Sequence, residues 1–502
     1  MNSSQAQSME HIRKGPIIAA LLIGAFVAFL NQTLMNVALP KIMENLGITA
    51  STGQWLTTGY MLVNGVLIPV SAFLIARFTT RQLFITAMSL FSIGTLICAI
   101  SPTFAILMTG RVVQAAGAGI LMPLMTVVFL NIFPIEKRGS AMGMMGIAMI
   151  LAPAIGPTLS GYVVEHHSWR VLFYIILPVA VIATLIGIFF LTNVTKVTKP
   201  KLDYLSVVLS TVGFGGLLYG FSDAGTDGWG SATVISTLVI GALSLVIFVW
   251  RQLKSETPLL EFKIFKYNMY TLTTIINVII TMAMFAGMIL LPIFLQNIRG
   301  FTPIQSGLMM LPGAILMGIM SPITGAIFDK IGARWLSVIG LVITVITTFE
   351  FSRLTVDMTY THLILMYTAR MFGMSMLMMP IQTAGLNQLP QRMIAHGTAM
   401  SNTLRTISGS IGTAILVTIM TTQTKHRVTE TLAAGGVDPN NKVQMAKVVA
   451  ESTVHGINYA FVIATWLSVT ALVLAFFIKK TKPQPENLQK EMSTPKSEAN
   501  NA

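Results

Sequence analysis

Apolar runs of helical length recur from about Ile17 to Ile478, broken by short polar stretches rich in Lys and Arg. A helix that crosses a bilayer needs roughly 20 apolar residues. The pattern predicts such helices at 16–37, 54–76, 82–101, 104–130, 139–164 and 168–191, then at 204–221 and 231–250. Six more are predicted at 269–297, 304–328, 335–354, 360–388, 394–420 and 456–478. The expected fold is an all-α membrane protein with 14 transmembrane helices, an even number that puts both termini on one side.

Loop charge orients the chain. Of the 32 Lys and Arg residues, 21 fall on the side that holds both termini. They include Lys14, Arg77, Lys137, Arg138, Arg251, Lys254, Lys330, Arg392 and Lys479. Eight fall on the other side, four of them in one long loop at about 421–455. Positive loops face the cytoplasm, so both termini are expected there. No cleaved signal peptide is read at the polar N-terminus. The remaining three cations, Arg111, Arg370 and Arg405, lie inside predicted spans.

Composition agrees with this picture and narrows it. The chain of 502 residues is 54% hydrophobic and 10% charged, with a mean hydropathy of +0.74. Soluble domains carry about 25% charged residues. The formal charge of +14 sits in the loops, so it reads as topology and argues against nucleic-acid binding. One cysteine, Cys98, excludes an internal disulfide and a Cys-based metal cage. There is no phosphate-binding Gly-rich loop, no nucleophile elbow and no metal-ligand spacing. Neither an enzyme, a cofactor nor a metal site is expected.

The chain repeats itself. "PVSAFLIARFTTR" (Pro69 to Arg81) matches "PITGAIFDKIGAR" (Pro322 to Arg334) at an offset of 253 residues. Arg111 matches Arg370 at 259 residues, each followed by small residues and a proline, Pro123 and Pro380. Repeated halves around a midplane site are a feature of secondary transporters. The organisation expected is a cytoplasmic N-terminus (1–15), a six-helix half (16–191) and two additional helices (204–250). A cytoplasmic connection (251–268), part amphipathic helix or solvated linker, leads into a second six-helix half (269–478) and a disordered tail (479–502).

Four motifs resemble those of one family. They are "NQTLMNVALP" in the first span, "GAIFDKIGAR" in the cytoplasmic loop of the second half, "LMTGRVVQAAGAG" (Leu107 to Gly119) and "LAPAIGPTLSG" (Leu151 to Gly161). Over about residues 16–480 the chain resembles the major facilitator superfamily. Within it, the chain is similar to fourteen-helix drug:proton antiporters, above all the lincomycin-resistance type of Gram-positive bacteria. The last motif separates exporters from importers in that superfamily. Many members carry an Asp where Asn31 stands, so the resemblance leaves open which group here takes the coupling proton.

The residues themselves suggest roles. Asn31 and Gln32 are amides where lipid-facing helices carry Leu, and they lie about 100° apart on a helix. Asn31 is expected to face a cavity, or else to join helices. With Tyr60, Asn64, Arg111, Gln114, Arg370, Gln382 and Arg405 these form the expected substrate and proton pathway, because polar groups at membrane depth face a cavity or a partner. Three interior cations and few acids suggest tolerance of anionic groups. Pro153 and Pro157 bend the fifth span, and Gly156 and Gly161 permit close approach, as a hinge between halves requires. Asp329, Lys330 and Arg334 form an expected cytoplasmic charge latch, whose acid is replaced by Ala76 in the first half. The 33 methionines supply adaptable apolar surface.

The function expected is a proton-driven exporter of small amphipathic compounds in the plasma membrane, acting as a monomer. Its partners are then the substrate, protons and the lipid bilayer. Export of lipids or fatty acids is the alternative of the same class, and a non-transporting membrane sensor the alternative of another.

Overall fold

The computed structural model describes residues 14–195, 197–198, 202–224, 228–434 and 441–479. The expected disordered tail beyond Lys479 and the N-terminus through Arg13 lie outside them. The described residues are helical with no strand. The first half holds α1 (Lys14–Leu46), α2 (Ala50–Arg77), α3 (Thr80–Ala99), α4 (Phe104–Ile132), α5 (Arg138–His166) and α6 (Arg170–Phe190). Two additional helices follow, α7 (Tyr204–Ala224) and α8 (Ala232–Lys254). The second half holds α9 (Asn268–Ile293), α10 (Pro303–Ile331), α11 (Ala333–Phe351), the pair α12 (Tyr360–Ser375) and α13 (Met378–Leu386), α14 (Ile394–Ala433) and α15 (Lys442–Ala475).

Among the described residues, 13 helical stretches are long and apolar enough to cross a membrane. The expected span at 139–164 is present as the 29-residue α5 but falls outside that set. Its length and its place between α1 and α10 are those of a spanning helix. The expected span 360–388 is present as one stretch, Tyr360–Leu386, built of the two helices α12 and α13. Pro380 has no N–H to offer the carbonyl of Met376, and the helix breaks at Leu377.

The loop expected at 421–455 is a correction: α14 continues to Ala433, and α15 begins at Lys442. This stretch is polar but helix-forming, and it is laced by the spaced pairs His426–Glu430 and Lys447–Glu451. A helical hairpin thus extends past the apolar parts of both helices. The connection after α8 is partly helical and is anchored on the bundle. Gln252 reaches back so that its Oε1 accepts from the backbone N–H of Leu259 (2.6 Å) and Leu260 (3.4 Å). Leu259, Leu260 and Ile264 are buried, so apolar burial folds the segment onto the bundle. Its helical piece is a five-residue 3-10 helix, Phe262–Lys266, with Ile264 buried and Lys263 and Lys266 exposed.

The two six-helix halves share one packing plan. α1 packs on α5 and α6 as α9 packs on α14 and α15. α4 lies on α2 and α3 as α12 lies on α10 and α11. The second half has an apolar cluster of its own, while that of the first half runs on into Tyr270, Met379, Leu386 and Met400 of the second. α7 covers the outside of α2 and α14. At its start, Asp203 accepts from Ser206 and from Arg251 of α8 at 2.7 and 3.1 Å. The Arg251 guanidinium holds the Asp203 carboxyl down to about 2. A depressed carboxyl stabilises above its unfolded pKa, so this contribution is lost only as pH falls through about 2.

The halves meet along two seams, α5 against α10 and α2 against α14, the first being the more extensive. Gly139, Gly143 and Gly146 of α5 face α10, where a Cβ at any of them would collide with Asp329 or Ser321. The absence of side chains there sets how close the two halves come. The end of the bundle holding Lys14, Arg77, Lys254 and Lys479 is called the basic end below.

Candidate functional site

The first cluster of predicted residues is real and tightly bonded. Arg111 on α4 and Asn31 on α1 both donate to Gln114 Oε1, at 3.0 and 3.1 Å. Gln114 Nε2 in turn donates to Thr95 Oγ1 on α3 at 2.7 Å. Arg111 Nε donates to the Leu56 carbonyl of α2 at 3.2 Å, and its guanidinium lies 4.1 Å from the centre of the Tyr60 ring. Asn31, Tyr60, Arg111 and Gln114 are all buried. The cation is therefore held by an amide oxygen, a carbonyl and a π face, and one nitrogen, Nη2, has no acceptor. Four helices of the first half are tied at one point. Gln32 lies on another face of α1, half-buried, and Asn64 is half-buried on α2.

The second half repeats the arrangement with one substitution. Arg370 on α12 donates directly to Thr348 Oγ1 (3.4 Å) and to the Ala283 carbonyl (2.9 Å). Thr348 is the repeat partner of Thr95 at the offset of 253. The partner of Gln114 is Gly373, so no amide intervenes. The absent side chain of Gly287 makes room, since a Cβ there would overlap Arg370 Nη1. That nitrogen also lacks an acceptor. Gln382 is buried on α13.

Carboxylates are missing from this interior. Among the described residues, every Asp and Glu lies in a loop, in the terminal turn of a helix or, as Glu451 does, on the exposed part of the hairpin of α14 and α15. Arg405 of α14 is half-buried. The structure gives it no acceptor among the described residues. Asn402, one turn earlier and on the same side, is buried with its Nδ2 unbonded.

Polar bonds between the halves gather at the basic end. Asp329, at the end of α10, accepts from the backbone N–H of Gly139 (2.7 Å) and Ser140 (2.9 Å) and from the Ser140 hydroxyl (2.7 Å). It thereby caps the start of α5, where unpaired N–H groups and the helix dipole favour an anion. Arg138 Nη1 donates to Asn387 Oδ1 at 3.0 Å, and Gln391 bonds Asn131. Lys330 and Arg334 are exposed and bond nothing in the other half among the described residues; Arg334 lies over the Trp335 ring. Of the expected latch, Asp329 alone makes the contact.

The counterpart seam has no such acid. "RGSAM" (Arg138 to Met142) at the start of α5 is repeated as "HGTAM" (His396 to Met400) in α14. Ala76 stands where Asp329 stands. Thr398 Oγ1 and His396 Nδ1 are left unbonded. A cleft of about 380 Å³ lies there, lined by Ala76, Thr198, Glu261, Arg392 and His396.

The expected hinge residues divide between two neighbours. Gly156 faces Thr33 of α1, within its own half, and Ser160 donates to the Leu34 carbonyl at 2.8 Å. Gly161 faces Ile304 of α10. The side chains of Pro153 and Pro157 lie outside the described residues. Sequence reading missed Gly139, Gly143 and Gly146, although their spacing of four and three residues is a small-residue helix face. It also missed Asn131, Arg138 and Gln391, which read as ordinary loop residues, and it took Asn387 for a polar group of a span without foreseeing its bond to Arg138.

A family model described as Major Facilitator Superfamily matches residues 21–413. The chain is 49% identical to the uncharacterized MFS-type transporter YhcA of Bacillus subtilis, over 95% of each chain. It is 46% identical to the lincomycin resistance protein LmrB of Listeria innocua, over 95% of this chain and 99% of that one. Among solved structures it is similar to the human organic anion transporter MFSD10, with a TM-score of 0.62 at 12% identity, covering 91% of this chain and 99% of that one. The last is a likeness of fold alone.

Two outcomes test the geometry. Gln114→Leu strands the donors of both Arg111 and Asn31, each unmade buried bond costing about 1–3 kcal/mol. It should lower the melting temperature of the purified protein more than Asn31→Leu does; an equal or smaller effect would show that Gln114 is not the shared acceptor. Asp329→Ala removes charge-assisted bonds worth about 1.5–3 kcal/mol each. With Ala141→Cys as reporter in a Cys98→Ala background, maleimide labelling should then quicken by about tenfold or more. An unchanged rate would mean that Asp329 does not close the basic end.

Proposed function

Because the chain belongs to the major facilitator superfamily, and is a multi-pass membrane transporter of small molecules and not an enzyme, we propose that it exports amphipathic compounds from the cytoplasm in exchange for protons. The observation that carries the proposal is the pair of seams. Two halves of one packing plan meet along α5 and α10 at a face of glycines, and the polar bonds between them gather at one end. Such a body opens at one end by breaking the few bonds there while the packing within each half is kept.

In this reading the basic end faces the cytoplasm. The arrangement with Asp329 on α5 is then closed to the cytoplasm, and release of that cap admits cargo. Pathway residues are the polar groups of the interior: Arg111 with Gln114 and Asn31 in the first half, and Arg370, Gln382 and Arg405 in the second. Arg111 and Arg370 act through the helices they join, so a proton or cargo that disturbs either bond set changes the shape of a whole half. One proton moving through 100 mV supplies about 2.3 kcal/mol. That supports an outward cargo gradient of some tens-fold.

The naming of similar proteins for lincomycin and multidrug resistance supports antibiotics as cargo. A second reading, export of lipids or fatty acids, draws on an apolar groove of about 410 Å³ that opens sideways between α2, α7 and α8, lined by Trp55, Leu62, Tyr219 and Ile240. It gives an acyl chain a lateral way in.

A susceptibility panel in an exporter-deficient host tests the proposal. Expression should raise the inhibitory concentration of at least one amphipathic compound, by about the tenfold that 1.4 kcal/mol supports. Arg111→Ala, expressed to the same level, should return it to that of the host. A panel in which no compound responds would refute drug export.

A further inference from the structure

Acceptors fall short around three buried N–H groups, Arg111 Nη2, Arg370 Nη1 and Asn402 Nδ2, which have no partner among the described residues. Arg405 has no acceptor among the described residues. No carboxylate of the described residues reaches this region. The shortage is graded: Arg111 and Arg370 are each held by carbonyl, amide or hydroxyl oxygens, and only Arg405 is left without any. It is also the one of the three that keeps part of its surface accessible.

Arg405 falls near the middle of the apolar part of α14, so it sits at membrane depth, where a lone cation is costly unless something answers its charge. Asn402 lies on the same side of the helix and adds a second unanswered donor. The "RGSAM"/"HGTAM" register gives these two residues partners on α5, Met144 and Ile147. The two halves therefore present unlike chemistry at matching positions: charge and amide on α14, apolar side chains on α5.

Resting on the exporter reading above, we propose that the cargo is an amphipathic anion. Its carboxylate, sulfonate or phosphate group accepts from Arg405 and Asn402, and its apolar body lies toward the α5 side. A planar guanidinium suits such a group because it donates along two parallel bonds. A cationic cargo of the same size meets the opposite conditions. It loses its water beside an uncompensated guanidinium and finds no acidic group to pair with.

The test uses the full chain in nanodiscs of zwitterionic lipid and two xanthene dyes of similar size, the anion fluorescein and the cation rhodamine 123. Fluorescence anisotropy should give fluorescein a Kd lower by about tenfold or more. Arg405→Gln should remove that advantage without weakening rhodamine 123, and Arg405→Lys should keep the preference for the anion. Asn402→Leu should weaken fluorescein alone, and it serves if Arg405→Gln does not fold. Equal or tighter binding of rhodamine 123, no binding of either dye, or unchanged fluorescein affinity in Arg405→Gln or Asn402→Leu would overturn the proposal. Binding is read without a proton gradient. Failure here leaves export testable by the susceptibility panel, and failure of that panel leaves anion binding standing.

Discussion

A guanidinium inside a bilayer has to be answered by something, and in this protein it is answered by dipoles. Arg111 is met by an amide oxygen, a backbone carbonyl and the face of Tyr60; Arg370 by a threonine hydroxyl and a carbonyl. Breaking such bonds costs less than separating a buried ion pair, where a charge would be left uncompensated. Each arginine therefore ties several helices of its half together without locking them. The helices that surround these two residues are the cores of the two bodies, and the rest of the architecture is arranged about them.

The duplicated plan matters most where it has diverged. Gln114 against Gly373 turns a relayed contact with Thr95 into a direct one with Thr348. Asp329 against Ala76 leaves one seam capped at the basic end and the other open beside a cleft. Arg405 and Asn402 against Ile147 and Met144 make one wall polar and the other apolar. These three differences make the two halves unequal, with a carboxylate cap on one seam and unbonded polar groups on one helix.

Much of this was legible in the chain. The spans, the repeat and the buried arginines follow from apolar run length, from an offset held over thirteen residues, and from the cost of charge at depth. What the sequence could not convey was partnership across large separations. Asn31 reads as a cavity group until its bond to Gln114, 83 residues away, is seen. Asp329 reads as part of a three-residue charge cluster, yet only its carboxylate finds the N–H groups of α5, some 190 residues earlier. The hairpin of α14 and α15 was missed for another reason. Its residues are polar, and a search for apolar runs sees a loop wherever a helix leaves the membrane. Gly156 shows the limit of motif reading: close packing was anticipated, but against the opposite half, whereas its neighbour is Thr33 of the same half.

The central claim is that cargo leaves in exchange for protons although no carboxylate of the described residues lies in the interior. Proteoliposomes with a pH-sensitive dye inside and an exported compound identified from the panel outside report both fluxes at once. The account predicts that cargo addition moves protons in the opposite direction, and that Arg111→Ala abolishes both movements together. Cargo crossing the membrane with no accompanying proton movement would contradict it.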